Sequence, residues 1–388
     1  MAGPQRHAVI AGAGIGGLTA ALALHRQGWR VTVCERAAGP AAVGAGIVLA
    51  PNALRAYDVI GFDATRAAGR AVPASMGLRR PGGARLARAD TAALAARYGR
   101  PPLAVHRSDL TAALAAALPG DALVYGAAVG AVDEAAGRAV VRTAAGDLTA
   151  DAVIAADGIH SPLRRLRFPA HPGLHYSGET AWRTVLPSGP ATEAAETWGR
   201  GERFGTVPLA DGRVYLYATA VVPEGYRPAD VRTELLRRYG TWHDPIPALL
   251  DGIDPRTVLQ HDLYDLAAPL PRLHDGRTAW IGDAAHAMTP NLGQGGCQAV
   301  EDAVVLAHLL AGPDVPAALA AYTRARLART DAIRLRARRM GRVAALTHPL
   351  AVAARDLAVR VTPASLSRRA LDDLFDGFAL AGARPGNA

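Results

Sequence analysis

The first blocks of apolar and polar positions predict a strand, a helix and a second strand. Residues 7–12 form a short apolar run, residues 18–27 are rich in Ala and Leu, and residues 30–35 alternate between apolar and polar. A glycine-rich turn separates the first strand from the helix, and Gly28 follows the helix, where such a residue commonly ends one. About 30 residues is the usual size of a βαβ unit. The chain is therefore predicted to begin with one.

The pattern changes further along the chain. A helix is predicted from Pro51 to residue 70, another after His106 with Ser108 as its N-cap, and an apolar strand ends at Asp157. Strand-like segments with alternating polarity then occupy residues 173–261, which is typical of an antiparallel sheet. Strand followed by helix returns over residues 278–310, and the remainder is helical and rich in Arg.

These patterns predict an α/β fold with a Rossmann-like domain, an antiparallel β-sheet domain and C-terminal helices. A length of 388 residues agrees with more than one hydrophobic core. The predicted domains are a discontinuous first domain (1–72, 98–172 and 262–340), a second domain (73–97 and 173–261) and a C-terminal helical region (341–388).

Composition and charge narrow the function classes. The net charge of +9 comes entirely from Arg, which is spread along the chain, so we expect no nucleic-acid partner and some attraction for anionic small molecules. Cys34 and Cys297 offer neither a disulfide framework nor metal spacing. No apolar stretch reaches the roughly 18 residues of a membrane helix. We expect a cytoplasmic protein without a metal or membrane partner, since Asp356 and the spread of Arg favour packing or oligomer contacts for the basic C-terminal helices.

The glycine-rich turn carries the first chemical motif. Glycines in G-x-G-x-x-G allow the backbone to approach a pyrophosphate at a helix N-terminus, and an acid ending the second strand accepts hydrogen bonds from ribose hydroxyls. The alternative is a tight packing turn, and the motif alone does not distinguish FAD from NAD. The residues concerned are Gly12, Gly14, Ile15, Gly16, Gly17 and Glu35.

Two later motifs also place carboxylates at strand ends. Asp157 precedes Gly158 in the first, which is also compatible with a simple turn. In the second, Asp283 is in position to bind ribityl hydroxyls. The Gly293–Gly296 run then opens a helix whose N–H groups would stabilise negative charge. Glu301 and Asp302, further along that helix, are interpreted as surface or packing carboxylates.

Together the three motifs resemble those of the single-component FAD-dependent aromatic hydroxylases with the p-hydroxybenzoate hydroxylase fold. The matching segments are GAGIGG with CER, ADGIHS, and GDAAHAMTPNLGQGG with CQAVEDA, supported by residues 43–56 and 106–110. The resemblance covers residues 7 to about 345. It implies FAD as the cofactor and NADPH or NADH as a transient reductant. It also implies hydroxylation of an electron-rich aromatic or heteroaromatic molecule through a C4a-hydroperoxyflavin.

The resemblance also implies a role for each residue of the motifs. Glu35 would bind the adenosine ribose, with Arg36 against the adenine. Arg107 would contact the ribityl-phosphate region, and Asp157 would lie near the pyrophosphate and the nicotinamide path. Asp283 would bind ribitol. The flavin ring would rest on the motif that contains Pro290, Gly293, Gln294, Gly295 and Gly296.

Residues 176–187 and 199–218 resemble the branch with urate hydroxylases, zeaxanthin epoxidase-like and salicylate hydroxylase-like enzymes. Arg203 and Tyr215 are the implied catalytic residues, with Tyr217 and Met288 in the substrate pocket. Trp182-Arg183 is shared widely in the branch and does not select a substrate.

Several alternatives stay open at this point. Arg203 could be solvated or salt-bridged, and the two tyrosines could belong to the core. The same scaffold also serves epoxidases or dehydrogenases of alkenes and polycyclic natural products, and a non-catalytic flavin-binding protein. The expected partner is a small aromatic or polycyclic substrate, and the chain could be a monomer or a homodimer.

Overall fold

The computed structural model describes residues 5–40, 44–66, 70–71, 75–191, 193–378 and 380. The predicted domain boundary between residues 72 and 73 and the end of the predicted C-terminal region lie outside these residues. Within the described part of the chain, no helix is both long and apolar enough to cross a membrane.

The first part of the chain alternates strands and helices. Its elements are β1 (His7–Ala11), α1 (Ile15–Arg26), β2 (Arg30–Glu35), β3 (Gly46–Leu49), α2 (Pro51–Val59), β4 (Arg70–Ala71), β5 (Ser75–Arg79), β6 (Arg85–Asp90), α3 (Thr91–Tyr98), β7 (Leu103–His106), α4 (Arg107–Ala116), β8 (Leu123–Tyr125), β9 (Val129–Ala135), β10 (Arg138–Thr143), β11 (Gly146–Ala150), β12 (Ala152–Ala155) and α5 (Pro162–Arg167).

Longer strands follow, and then helices. The elements are β13 (Leu174–Leu186), β14 (Ala194–Trp198), β15 (Glu202–Pro208), β16 (Val214–Val221), α6 (Val231–Tyr239), α7 (Ile246–Asp251), β17 (Leu259–Leu266), β18 (His274–Asp275), β19 (Thr278–Trp280), α8 (Asp283–His286), α9 (Gly295–Leu309), α10 (Val315–Ala344), α11 (Pro349–Val361) and α12 (Ala364–Phe375).

One of the sheets is mostly parallel. Its strand order is β18-β19-β12-β1-β2-β8, with β1 parallel to both β12 and β2. Every residue of β1 and β12 is buried, as expected for strands covered on both faces. Helix α1 packs against α9 on this sheet. The predicted βαβ unit is confirmed.

A second, mostly antiparallel sheet, called here the large sheet, has the order β17-β13-β16-β15-β14-β5-β6. Successive side chains along each strand point to opposite faces of this sheet. Leu216, Ala218 and Ala220 of β16 pack in an apolar cluster that includes residues of α6 and α7. Tyr215 and Tyr217 therefore point to the opposite face, which we call the inner face. Smaller sheets have the orders β11-β10-β9 and β3-β7-β4.

The predicted α/β fold class with an antiparallel sheet and C-terminal helices is confirmed. Some local predictions are wrong. Helix α2 ends at Val59 rather than near residue 70, because the chain turns through Gly61 at φ 64°. Ser108 is not an N-cap: α4 starts at Arg107, with His106 as its N-cap, and the Ser108 hydroxyl forms a hydrogen bond with His106 Nδ1 at 2.5 Å instead.

Candidate active site

The chain places three predicted site residues at one edge of the parallel sheet. Gly12 follows β1, Asp157 follows β12 and Asp283 follows β19, and these three strands are neighbours in parallel. The carboxyl ends of parallel strands form the crevice in which α/β proteins bind ligands. The three motifs recognised separately in the sequence therefore meet in space.

The turn after β1 requires glycine for two separate reasons. Gly12 has φ 105°, and a Cβ there would lie 2.5 Å from the Ala156 carbonyl oxygen. A Cβ on Gly17 would lie 2.0 Å from the Gly12 carbonyl oxygen. Helix α1 has Gly14 as its N-cap, with no side-chain cap and no acid in its first turn. Its first N–H groups are therefore suited to an anionic ligand.

Glu35 has a structural role that the sequence interpretation missed. Its Oε2 accepts a hydrogen bond from Ala13 N at 2.8 Å, and its Oε1 accepts one from Ala37 N at 2.9 Å. The carboxylate thus holds the turn after β1 against the end of β2. Arg36, the predicted adenine contact, is exposed beside it.

Arg107 lies next to the first glycine-rich turn. Its Nη2 is 4.0 Å from the position that a Cβ on Gly14 would occupy. The Arg107 side chain is exposed and makes no hydrogen bond or ion pair with the described residues. A free guanidinium at this position is suited to an anion bound at the turn.

Asp157 is held close to the same edge. Its Oδ2 accepts a hydrogen bond from Leu163 N at 3.3 Å, while its buried Oδ1 has no partner among the described residues. Burial raises the pKa of Asp157. Arg164 lies behind it and donates to the Asp283 and Ala284 carbonyls at 3.2 and 3.1 Å. That arginine ties the second motif to the third.

The predicted residues of the third motif gather around the start of α9. A Cβ on Gly295 would lie 3.8 Å from both Asp283 Oδ1 and Met288 Cγ, and one on Gly296 would lie 2.7 Å from Ile47 Cδ1. Gly293 has φ 62°, a left-handed conformation that favours glycine. Pro290, exposed, begins the short 3-10 helix before it. We call the backbone of residues 293–296 the shelf. Side chains at Gly295 and Gly296 would occupy the space beside it.

A buried amide network lies beneath this shelf. Gln294 Oε1 accepts hydrogen bonds from Asn52 Nδ2 at 3.1 Å and from Gln298 Nε2 at 3.0 Å. Asn52 Nδ2 also donates to Glu301 Oε1 at 2.6 Å. Gln294 Nε2 is buried and lacks a partner among the described residues, so it has a donor to offer to a ligand on the shelf.

Glu301 and Asp302 are packing carboxylates, as interpreted, but they are fully buried. Arg326 donates to Asp302 Oδ1 at 2.7 Å and to Glu301 Oε2 at 2.6 Å, and His286 Nε2 lies 2.6 Å from Asp302 Oδ2. Burial alone would raise the pKa of Asp302, but the charges of His286 and Arg326 outweigh it and lower that pKa. These ions connect α9 to α10 and keep the shelf in place.

Arg203 is salt-bridged rather than solvated. The side chain is 4% exposed, and its three nitrogens donate to Thr219 Oγ1 at 3.0 Å, Asn291 Oδ1 at 2.7 Å and Glu179 Oε1 at 2.9 Å. Glu196 Oε1 lies 3.7 Å away. Since Asn291 belongs to the third motif, Arg203 joins the large sheet to the shelf. Its catalytic assignment stays a prediction.

Tyr215 and Tyr217 stack on the inner face with ring centroids 5.7 Å apart. The Tyr217 hydroxyl donates to Glu196 Oε2 at 2.6 Å. The Tyr215 ring covers Gly46, where a Cβ would lie 2.4 Å from the ring. Burial raises the pKa of both hydroxyls, with Glu196 adding to the effect on Tyr217. Both tyrosines are thus protonated at neutral pH, and Tyr215 is suited to donating a hydrogen bond rather than to acting as a base.

Two further residues lie on the inner face; the sequence interpretation named Arg183 without giving it a substrate role and missed His261. Arg183 of β13 pairs opposite Tyr217, is half-buried, and makes no hydrogen bond or ion pair with the described residues. His261 of β17 pairs opposite Ala181. Partial burial and the charges of Arg183, Arg227 and Arg107 lower the pKa of His261, so its imidazole is neutral at pH 7. Only the strand register reveals these positions.

A cavity of about 300 Å³ also lies beside the large sheet, lined by Arg79, Phe204, Thr206 and His243 among others. Phe204 and Thr206 alternate with Arg203 and Gly205 along β15, so this cavity opens on the face away from the shelf. It is not the candidate active site. Among the described residues, no cluster of three or more His, Cys, Asp or Glu side chains is arranged to hold a metal.

The residues at the sheet edge fit a flavin dinucleotide. The uncapped start of α1 and the free Arg107 suit a pyrophosphate, and Asp283 beside Gly295 suits the ribityl chain. The shelf over Gly295 and Gly296 and the unpartnered Gln294 amide suit a flat polar ring.

Comparison with known proteins agrees with this fit. Residues 5–337 match the family described as FAD binding domain. The chain is 40% identical over 330 residues to aurachin C monooxygenase/isomerase of Stigmatella aurantiaca, covering 83% of this chain and 85% of that protein. It is 34% identical over 379 residues to 2-heptyl-3-hydroxy-4(1H)-quinolone synthase of Pseudomonas aeruginosa, covering 95% and 97%. It also superposes on the structure of Klebsiella pneumoniae HpxO complexed with FAD and uric acid, with a TM-score of 0.89 and 28% identity, over 96% of this chain and 97% of that one.

Proposed function

The chain belongs to the FAD-dependent aromatic monooxygenases of the FAD binding domain family, and from that premise we propose that its substrate is a planar nitrogen heterocycle with a ring-bound oxygen, such as a 4-quinolone. It is an enzyme that binds FAD in the p-hydroxybenzoate hydroxylase fold and hydroxylates an aromatic substrate. Bound FAD supplies the reduction by NAD(P)H and the activation of O2.

We assign the cofactor contacts to the residues at the sheet edge. The pyrophosphate would lie at the start of α1 within reach of Arg107, and Glu35 would keep the turn in shape for it. The ring would rest on Gly295 and Gly296, with the inner face of the large sheet opposite. In this assignment the strands β5, β6 and β13 to β17 form the substrate side, which falls largely within the predicted second domain (73–97 and 173–261).

The observation that carries the substrate proposal is the free guanidinium of Arg183. It lies half-buried on the inner face, beside Tyr215, in a part of the site where every nitrogen of Arg203 already has a partner. A planar cation without a counter-ion suits a ring oxygen that becomes negative as the ring is oxidised. Arg183 would bind that oxygen, and Arg203 would position the loop that carries Asn291.

Two neighbours complete the proposed substrate site. The Tyr215 hydroxyl makes no hydrogen bond with the described residues and would donate one to the substrate. His261 would accept a proton from the substrate N–H or O–H, because its lowered pKa keeps the imidazole neutral at pH 7. Two of the similar proteins agree with such substrates. One is named 2-heptyl-3-hydroxy-4(1H)-quinolone synthase, and the structure of the other is a complex with FAD and uric acid.

A substrate panel tests the proposal. Purified holoenzyme is incubated with NADH or NADPH and with a 4-quinolone, urate or salicylate, while O2 uptake and product mass are followed. We expect the 4-quinolone to stimulate NAD(P)H oxidation and to gain one oxygen atom. If only salicylate stimulated NAD(P)H oxidation, the proposed substrate class would be contradicted. If NAD(P)H were oxidised without any oxygenated product, monooxygenation of these compounds would be contradicted.

Variants of Arg183 test whether its guanidinium binds the substrate. Arg183→Gln removes the charge and Arg183→Lys keeps it without the planar fork, while Arg88→Gln alters an exposed arginine of the same sheet. We expect normal FAD content in all three, with a KM increase and a loss of coupling in Arg183→Gln, a smaller loss in Arg183→Lys and none in Arg88→Gln. Unchanged kinetics in Arg183→Gln would remove Arg183 from the site.

We also propose a cytoplasmic location, supported by the two cysteines, which are both buried and unpaired as thiols.

A further inference from the structure

Helix α11 carries two charged side chains on its buried face, unlike an ordinary surface helix. Its Arg355 and Asp356 point inward, where Arg355 Nη2 bonds Asp356 Oδ1 at 2.8 Å and Arg80 Nε bonds Asp356 Oδ2 at 2.7 Å. Arg355 Nη1 also donates to the Gly199 and Ala344 carbonyls, each at 3.1 Å. Both charged side chains are buried, so the polar residues of α11 anchor it to the body of the protein.

The opposite face of α11 is apolar and faces solvent. Leu350 is 75% exposed, Leu357 59% and Val361 65%. Their spacing of seven and four residues places them in one stripe along the helix. A surface helix normally carries polar side chains on that face. Three large aliphatic side chains there point to a partner that covers them.

Exposed apolar residues also occur on the helices that precede and follow α11 in the chain. Met340 and Val343 at the end of α10 and Leu366 of α12 are exposed as well. Of the exposed large hydrophobic residues among those the structure describes, most fall between residues 340 and 366. Such a concentration marks an interaction surface rather than scattered surface residues. We call residues 339–369 the C-terminal surface.

Unpaired cations occur on the same three helices. Arg339, Arg342, Arg360 and Arg369 are exposed, and none makes a hydrogen bond or ion pair with the described residues. The nearby acids are already engaged: Asp372 accepts from Arg97 and Tyr98, and Asp356 from Arg80. The C-terminal surface therefore combines exposed aliphatic side chains with exposed arginines that have no acidic partner among the described residues.

We propose that the C-terminal surface docks reversibly on an anionic lipid bilayer. The aliphatic side chains would enter the boundary between headgroups and acyl chains, while the arginines would bind lipid phosphates. A second copy of the chain fits less well, because a twofold interface would bring the same unpaired arginines together without acids to compensate them. The sequence expectation of no membrane partner rested on Asp356 and on the spread of Arg; Asp356 does pack inward, which leaves the outward face of α11 without an acid among its exposed residues.

Vesicle sedimentation with the FAD-loaded chain tests this proposal independently of the substrate. We expect binding to vesicles of phosphatidylglycerol and phosphatidylcholine, weaker binding at high salt, and little binding to phosphatidylcholine alone. Leu350→Gln with Leu357→Gln should abolish sedimentation. Arg342→Gln with Arg360→Gln should weaken it about fivefold for each arginine removed. Leu166→Gln, at an exposed leucine outside the C-terminal surface, should leave binding unchanged.

The same variants distinguish the alternatives. FAD content and unfolding temperature show whether a variant is folded, and the arginine variant gives a second readout if the leucine variant is not. Equal sedimentation of the parent chain and both variants would overturn the proposal. The proposal would also be overturned if the parent chain did not bind vesicles but formed a dimer in solution that Leu350→Gln with Leu357→Gln made monomeric. The partner would then be a second copy of the chain.

Discussion

At the scale of single residues, partners decide what the arginines of the large sheet can do. Arg203 and Arg183 lie on β15 and β13, the two strands that flank β16, and face the same side of the sheet. Arg203 is bound by Glu179, Thr219 and Asn291, whereas Arg183 makes no hydrogen bond or ion pair with the described residues. A guanidinium that already satisfies a buried carboxylate contributes chiefly to the structure, whereas a free one can bind a ligand.

Arg203→Ala should therefore destabilise the fold as well as reduce coupling. It leaves Glu179 buried without its counter-ion, and breaking a buried pair costs about 3–5 kcal/mol. We expect the free energy of unfolding in denaturant to fall by that amount, and adding Glu179→Gln to restore part of it. A single variant as stable as the parent would show that the pair does not support the fold.

Glu35→Ala should weaken FAD binding. The variant loses two hydrogen bonds from backbone N–H groups to a carboxylate, which hold the turn after β1. FAD binding must then restore the shape of the turn. Taking that cost as equal to one hydrogen bond to a charged group, about 1.5–3 kcal/mol, we expect the Kd for FAD to rise by about 10- to 150-fold. Titration of the FAD-free chain measures it, with the exposed Arg36→Ala as a comparison. Equal affinity in Glu35→Ala would contradict the assigned role of this turn.

At the scale of elements, close packing between β3 and β16 shapes the substrate side. A Cβ on Gly46 would overlap the Tyr215 ring, so Gly46→Ala must displace the tyrosine or the strand. We expect a loss of about 1–3 kcal/mol in unfolding free energy and a drop in substrate-stimulated turnover. Gly130→Ala in β9, where the nearest atom lies 4.0 Å away, should show neither effect. Normal turnover in Gly46→Ala would place Tyr215 outside the substrate site.

Helix α6 gives a pH-dependent prediction. The hydrogen bond from Arg237, helped by Tyr226 and Arg238, lowers the pKa of Glu234 to about 2 from its ordinary 4.5. A depressed carboxyl pKa adds stability above the unfolded pKa, and this stability is lost as pH falls towards the folded value. The parent should exceed Glu234→Gln in unfolding free energy by about 2–3 kcal/mol at pH 7. The gap should narrow below pH 4.5, and a gap independent of pH would contradict the assignment.

At the scale of the whole molecule, the cofactor site is shared by distant segments. The ends of β1, β12 and β19, the start of α9 and the start of α4 all meet there. A ligand that binds only the folded chain stabilises it by mass action, by about 2.7 kcal/mol at a hundredfold excess over Kd. Saturating FAD should therefore raise the unfolding temperature of the FAD-free chain and bind at one FAD per chain. An unfolding temperature independent of FAD would contradict the site.

Local signals in the sequence determined the elements whose formation depends on near neighbours. The βαβ unit and the glycines of its turn follow from periodicity and turn chemistry within a few residues. The three motifs were found for the same reason, because each is a contiguous stretch whose glycines and carboxylates have little freedom. Helices α6 and α7 were missed, since their residues lie within a region of alternating strands.

Only the tertiary structure decided which side chains have partners. The sequence interpretation gave the catalytic role to Arg203 and no substrate role to Arg183, but strand register brings Glu179 and Thr219 to Arg203 alone. The sequence indicated packing for Asp356, but only the structure shows that its carboxylate is buried against Arg80. The physical reason is that hydrogen bonds and ion pairs act over a few ångströms. The chain sets which groups are available, and the packing of strands and helices determines which of them stay free to bind.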